Sequence, residues 1–172
     1  MKGITRDGNI IGIITKMHTN INYADMLAQA IHIATKAHYG QMDKAKLPYI
    51  FHPLAVMQLV RKYATNYEEL MILATLAVLH DVIEDHPRHR DEIYKKIPSP
   101  LIQTVLEDYL TRYPDVKYMD YIANIKTNKW ATLVKLADIE HNTSEERLKH
   151  LPLKDQEYFR NKYKEAYEYL TN

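Results

Sequence analysis

The sequence contains no cysteine, which excludes disulfides, thiolate metal ligands and a cysteine nucleophile and is in keeping with a reducing compartment. Any metal centre must be built from histidine and carboxylate. Charge of one sign is missing too: 23 Lys+Arg against 22 Asp+Glu leave a formal +1, with the signs interspersed. There is then no general electrostatic pull toward a nucleic-acid backbone or an anionic membrane, and an anionic ligand must be gripped locally. No stretch approaches the ~20 apolar residues of a membrane span, and the N-terminus has no leader-like pattern. A cytoplasmic protein with neither a nucleic-acid nor a membrane partner is expected. Phenylalanine (2) and tryptophan (1) are scarce beside 14 tyrosines, many of which recur at helical spacing in the last third and read as half-buried packing residues.

What is present is the balance of one compact all-α domain. At 172 residues the chain can bury a core but has no room for a second catalytic module. Residues 1–20 form an N-terminal extension, in which Asp7-Gly8-Asn9 between Ile- and Thr-containing stretches predicts a short hairpin. Residues 21–172 form the helical domain. The first helix runs from Tyr23 and stops near Gly40. Residues 41–51 read as a loop that delivers His52-Pro53 to the start of a second helix. Asn66 to Glu84 predicts one apolar central helix packed on nearly all sides. A short helix near 91–96 follows, then one opened by Ser99-Pro100, two more over about 118–127 and 129–140, and a Tyr- and Lys-rich last helix announced by Pro152 and Asp155.

The densest chemistry is His80-Asp81-Val82-Ile83-Glu84-Asp85, four ionisable side chains in six residues at the end of the most hydrophobic segment. On a continuous helix Glu84 follows His80 by four and Asp81 by three, and Asp85 follows Asp81 by four, so all four project toward one region. Three neighbouring carboxylates repel and are costly to desolvate unless a cation or shared protons offset them. His52, at a helix start, and Asp138, emerging from the apolar run Val134 to Ile139, can complete a site of two imidazoles and two carboxylates. That donor set suits Mn²⁺, Fe²⁺, Co²⁺ or Zn²⁺ better than Ca²⁺ or Mg²⁺. Glu84 and Asp85, outside the ligand set, are placed to orient a water and move its proton.

Several ordered motifs extend this reading. Ala37-His38-Tyr39-Gly40-Gln41, then Pro48-Tyr49-Ile50-Phe51-His52-Pro53, then His80 to Asp85, then Lys135-Leu136-Ala137-Asp138 with His141-Asn142 resemble the successive motifs of HD-domain phosphohydrolases. Within that family they resemble the Rel/Spo-type alarmone hydrolases, which remove the 3′-pyrophosphate of (p)ppGpp-like nucleotides in the stringent response. The resemblance spans about Tyr23 to Arg147. It implies an HD-type helical bundle with His52, His80, Asp81 and Asp138 as metal ligands, and Glu84 and Asp85 as the pair that activates water. It further implies Asn142 on the sugar or phosphate and Lys44 on the phosphates. Tyr49 is placed to wall the nucleotide pocket, and Lys135 to pair with a site carboxylate beside the substrate.

Three departures stand out. Asp43 occupies a place where many relatives carry arginine, Lys46-Leu47 replaces a common glycine, and His86-Pro87 stands where threonine is common. These keep two alternatives open: an HD site acting on a nucleoside monophosphate, a deoxynucleoside triphosphate or NADPH, and a non-catalytic nucleotide-binding module.

Overall fold

The computed structural model describes residues 21–172, so the expected hairpin lies outside the described residues. Helix α1 spans Tyr23–Ala37, α2 Phe51–Leu59 with a 3-10 turn over Val60–Tyr63, and α3 Tyr67–Leu79. After the one-turn α4 (Val82–Asp85) and a 3-10 turn over Pro87–His89 come α5 (Arg90–Lys96) and α6 (Pro100–Thr104). A π-helical stretch, Val105–Leu110, follows α6 directly. The chain then forms α7 (Tyr118–Lys126), α8 (Lys129–Thr143), α9 (Glu145–Leu148) and α10 (Leu153–Thr171). No strand is formed among the described residues beyond an isolated Met42–Pro48 bridge, and the all-α expectation holds.

The helix starts follow their caps. Asn22, Asn66 and Asn128 each accept, through the side chain, a backbone N–H of the first turn, and Ser99 and Ser144 do the same. These bonds satisfy donors that a helix leaves orphaned at its N-terminus. α3 is the centre of the bundle: every residue from Ile72 to Leu79 is buried, with α1 and α2 packed along it and α8 crossing it. Full burial of each large aliphatic side chain there stabilises the fold by about 1.5–3 kcal/mol. α8 in turn packs between α2 and α10, so one end of α3, the start of α2 and the middle of α8 converge.

The structure departs from the expected central helix at the point that matters. Instead of running to Glu84, the helix ends at Leu79; His80 and Asp81 form a turn, with Asp81 at φ −100°, ψ −8°, before α4 begins. α8 is longer than expected by one turn and carries His141 and Asn142 on the helix.

The loop before α2 keeps a glycine's conformation without a glycine. Lys46 has φ +62°, a left-handed geometry that costs an L-residue roughly 1–2 kcal/mol. Lys46→Gly relieves that strain at some cost in unfolded-chain entropy, and is expected to stabilise the protein by about 0.5–1 kcal/mol. A thermal melt that moves down would contradict this.

Candidate metal and phosphate site

His52, in the first turn of α2, His80 and Asp81, in the turn after α3, and Asp138, on α8, meet at the convergence of these elements. His52 Nε2 lies 3.1 Å from Asp138 Oδ1 and 3.5 Å from Asp81 Oδ2. His80 Nε2 lies 3.1 Å from Asp81 Oδ2 and 3.8 Å from Asp138 Oδ1. The imidazoles and Asp138 are almost fully buried, whereas the Asp81 side chain is 24% exposed, so the cluster opens toward solvent on one side.

The surroundings fix how each donor faces. His80 Nδ1 is 2.7 Å from the Ala77 carbonyl oxygen and must donate to it, which leaves Nε2 for the cluster, where it is buried and makes no hydrogen bond. His52 Nδ1 lies 2.8 Å from His141 Nδ1. When His52 Nε2 gives its lone pair to a cation, Nδ1 carries the hydrogen and His141 accepts it. His141 is held neutral for that role: burial, then the neighbouring His52, lowers it to about 4. Asp138 is gripped from its own helix, with Lys135 Nζ donating to Oδ2 at 2.7 Å and Asn142 Nδ2 to Oδ1 at 2.5 Å. Tyr49 donates its hydroxyl to Asp81 Oδ2.

Buried nitrogen and carboxylate donors with one orphaned imidazole nitrogen fit a divalent first-row cation. Without one, the site holds protons instead. Burial lowers His80, but the charges of Asp81 and Asp138 outweigh it and push it up to about 10. Burial raises both carboxylates, yet His80 holds Asp81 below its ordinary range and Lys135 holds Asp138 well below it. Because the His80 value is raised, its stabilisation of the metal-free fold is complete below about pH 6.5 and is lost as pH rises toward 10. A cation needs the same nitrogen free, so binding releases that proton. Divalent-cation affinity is therefore expected to rise about tenfold per pH unit between about pH 7 and 9, as read by titration calorimetry. A flat profile would contradict a protonated His80 ligand.

His52, Asp81 and Asp138 of the cluster line the floor of a cavity of about 300 Å³, at the lower end of small-molecule pockets. Lys44, Tyr49, Lys135 and Asn142 all line it, as does Glu84. Glu84 Oε2 accepts the Arg112 backbone N–H at 2.8 Å. Burial raises the Glu84 carboxyl above its ordinary value, Arg112 opposing and Asp81 adding.

Asp85 does not share this wall. The turn at His80-Asp81 rotates α4, and Asp85 Oδ2 instead accepts from Gln41 Nε2 at 3.0 Å, so the expected convergence of all four acidic and histidine side chains is replaced by a split. His38, Asp85 and His86 do offer ligand atoms within 4.8 Å of one another, but the Gln41 amide already fills the space between them with hydrogen bonds of 2.7–3.0 Å.

Sequence reasoning missed three cavity-lining cations, Arg112, Arg147 and Lys162. It also read the tyrosines of the last third mostly as packing residues, whereas Tyr118, Tyr121 and Tyr163 line the cavity as well as the bundle. Lys162, on α10, lies 4.6 Å from the Tyr118 ring centre, and its pKa is lowered by burial and then by Lys135 and Arg112. Lys44 Nζ sits 4.4 Å from the Phe159 ring centre. The Asp43 departure has a local explanation. Its Oδ1 accepts the Ala45 and Leu47 N–H groups at 2.9 Å, pinning the loop that carries Lys44, and Oδ2 lies 3.8 Å from Arg147.

Fold and site together define an all-helical domain with a buried histidine–aspartate centre suited to a divalent cation. A family model described as "HD domain" matches residues 49–157, and the chain belongs to that family. It is 33% identical over 125 residues to the bifunctional (p)ppGpp synthase/hydrolase SpoT of Escherichia coli (strain K12), covering 67% of this chain and 17% of that protein. It is 29% identical over 134 residues to the guanosine-3′,5′-bis(diphosphate) 3′-pyrophosphohydrolase of Borreliella burgdorferi, covering 72% and 19%. The chain thus spans less than a fifth of the length of these curated relatives. No helix among the described residues is long and apolar enough to cross a membrane.

Proposed function

We propose that this HD domain hydrolyses the 3′-pyrophosphate of a guanosine or adenosine nucleotide of the (p)ppGpp type, releasing pyrophosphate, with Mn²⁺ as its resident cation. The observation that carries the reading is the pairing of the His/Asp floor with a cationic wall. Lys44, Arg112 and Lys162 face the cavity, and none of the three forms an ion pair among the described residues. Arg112 donates to the Val116 carbonyl and the two lysines lie over aromatic rings. Such a wall asks for a polyanion whose reacting phosphoryl group reaches the floor. Relatives named guanosine-3′,5′-bis(diphosphate) 3′-pyrophosphohydrolase support the same substrate class.

His52, His80, Asp81 and Asp138 would hold the cation, which when bound supplies electrophilic pull on a phosphoryl oxygen and on the attacking water. Lys135 keeps Asp138 ionised, and Tyr49 fixes Asp81. Glu84, aimed by the Arg112 N–H, takes a proton from water as it attacks the phosphorus next to O3′; the P–O3′ bond breaks and the departing O3′ takes up a proton, with Asp85, beside Glu84 on α4, as the second carboxylate of the pair. The raised Glu84 value makes it a stronger base than an ordinary glutamate. Asn142 spends its N–H on Asp138 and presents its carbonyl oxygen to a ribose hydroxyl. Lys44, Lys162 and Arg112 take the remaining phosphates.

The test is a panel of ppGpp, pppGpp, ppApp, GTP, nucleoside monophosphates and NADPH incubated with manganese-loaded protein, with products separated by chromatography. Pyrophosphate from the 3′-pyrophosphorylated members alone is the expected result. Orthophosphate from another member would move the substrate, and no product with metal bound would point to a binding module.

A further inference from the structure

Gln41 lies in the loop after α1, outside the matched segment 49–157, and the reaction described above makes no use of it. Its side-chain amide nevertheless sits at the centre of a four-residue network. Oε1 is 2.7 Å from His38 Nδ1 and 2.7 Å from His86 Nε2, and Nε2 donates to Asp85 Oδ2 at 3.0 Å. An amide oxygen offers two lone pairs and its nitrogen two hydrogens. Two ring N–H groups therefore fill the oxygen, and the nitrogen is left facing the carboxylate. The arrangement fixes the amide's orientation and the hydrogen-bearing nitrogen of each ring.

The network is braced from the bundle. His38 is 2% exposed; its ring centre lies 4.8 Å from that of Tyr49 and 5.1 Å from that of His86. Tyr49 in turn bonds Asp81. Asp85, by contrast, is exposed at the end of a one-turn helix, where an untethered carboxylate samples several rotamers.

We infer that Gln41 is a positioning residue that fixes the Asp85 carboxylate for the hydrolytic step, with His38 and His86 holding the amide in place. This rests on the role of Asp85 in the proposed function. Holding a reacting group in one geometry raises kcat without changing how substrate binds.

The experiment compares the manganese-loaded full chain with Gln41→Met, Gln41→Glu, Asp85→Asn and the Gln41→Met/Asp85→Asn double variant, using ppGpp. Gln41→Glu still accepts from both imidazoles but cannot donate to Asp85 and sets a carboxylate against it, so it replaces the proposed contact with repulsion, whereas Gln41→Met removes the contact without adding charge. In both Gln41 variants kcat is expected to fall about thirtyfold, the scale of a lost hydrogen bond to a charged group, with KM within about threefold. Manganese content should match wild type, and the double variant should be no slower than Asp85→Asn alone. Wild-type kcat in the Gln41 variants, or losses that multiply in the double, would overturn the inference while leaving the role of Asp85 intact. Wild-type kcat in Asp85→Asn would instead remove that role, and the inference with it. If Gln41→Met fails to fold, the comparison of Gln41→Glu with Asp85→Asn decides the matter alone.

Discussion

Asp138→Ala is expected to abolish divalent-cation binding and to destabilise the metal-free protein by about 3–5 kcal/mol. Two separate losses are involved. Asp138 is the carboxylate nearest His52 and, after Asp81, the one nearest His80, so the donor set falls from four to three. It is also the partner of Lys135, whose side chain is only 12% exposed. The attraction of Asp138 keeps that ammonium well above its ordinary value despite burial. With Asp138 gone the lysine is a nearly buried charge without a counter-ion, which is costlier than having no pair at all. Asp138→Ala combined with Lys135→Met removes the stranded charge, and should recover much of the stability but none of the cation binding. Calorimetric unfolding with metal analysis on both variants checks this. An Asp138→Ala protein with wild-type melting and metal content would contradict it.

The second large effect is on turnover. Glu84→Gln is expected to lower kcat by about 10²–10⁴-fold, the range for losing a general base, while cation content stays at one per chain. The amide oxygen can still accept from the Arg112 N–H that Glu84 uses at 2.8 Å, so the loop and the cavity wall are preserved and only the basic function is removed. Because partial desolvation raises Glu84 above its ordinary value, the acidic limb of the wild-type kcat profile should lie above the ordinary glutamate range. Activity is lost as pH falls through that raised value and Glu84 takes up its proton. A Glu84→Gln protein as fast as wild type would remove it from the reaction.

The quartet proposed to hold the cation, whose members the structure brings together, was legible in the sequence because each member carries an independent local signal. His52 stands before a proline at a helix start, His80-Asp81 ends the most apolar segment, and Asp138 interrupts an apolar run. The helices were legible for the same reason, through the Ser99-Pro100 cap and through hydrophobic period. The break after Leu79 was not, since His80 and Asp81 carry no Gly or Pro and the turn goes with a local bond from His80 to the Ala77 carbonyl and tertiary contacts of Asp81 with Tyr49 and His52. That break puts Glu84 and Asp85 on a separate one-turn helix, α4. The cationic wall was equally hidden: Arg112, Arg147 and Lys162 look like any solvated charge, and only the packing of α10 on α7 and α8 brings Lys162 over the site. Asp43 read as a lost cation, whereas its carboxylate serves the loop backbone.

The central claim is that water attacks the phosphorus joined to O3′, with His52, His80, Asp81 and Asp138 holding the cation beneath it. Turnover of ppGpp by the manganese-loaded protein in ¹⁸O-enriched water, followed by mass spectrometry of the products, tests it most directly. The account predicts one ¹⁸O in released pyrophosphate and none in the guanosine 5′-diphosphate, in wild type but not in Asp138→Ala. Label in orthophosphate, or in the nucleoside diphosphate, would contradict it.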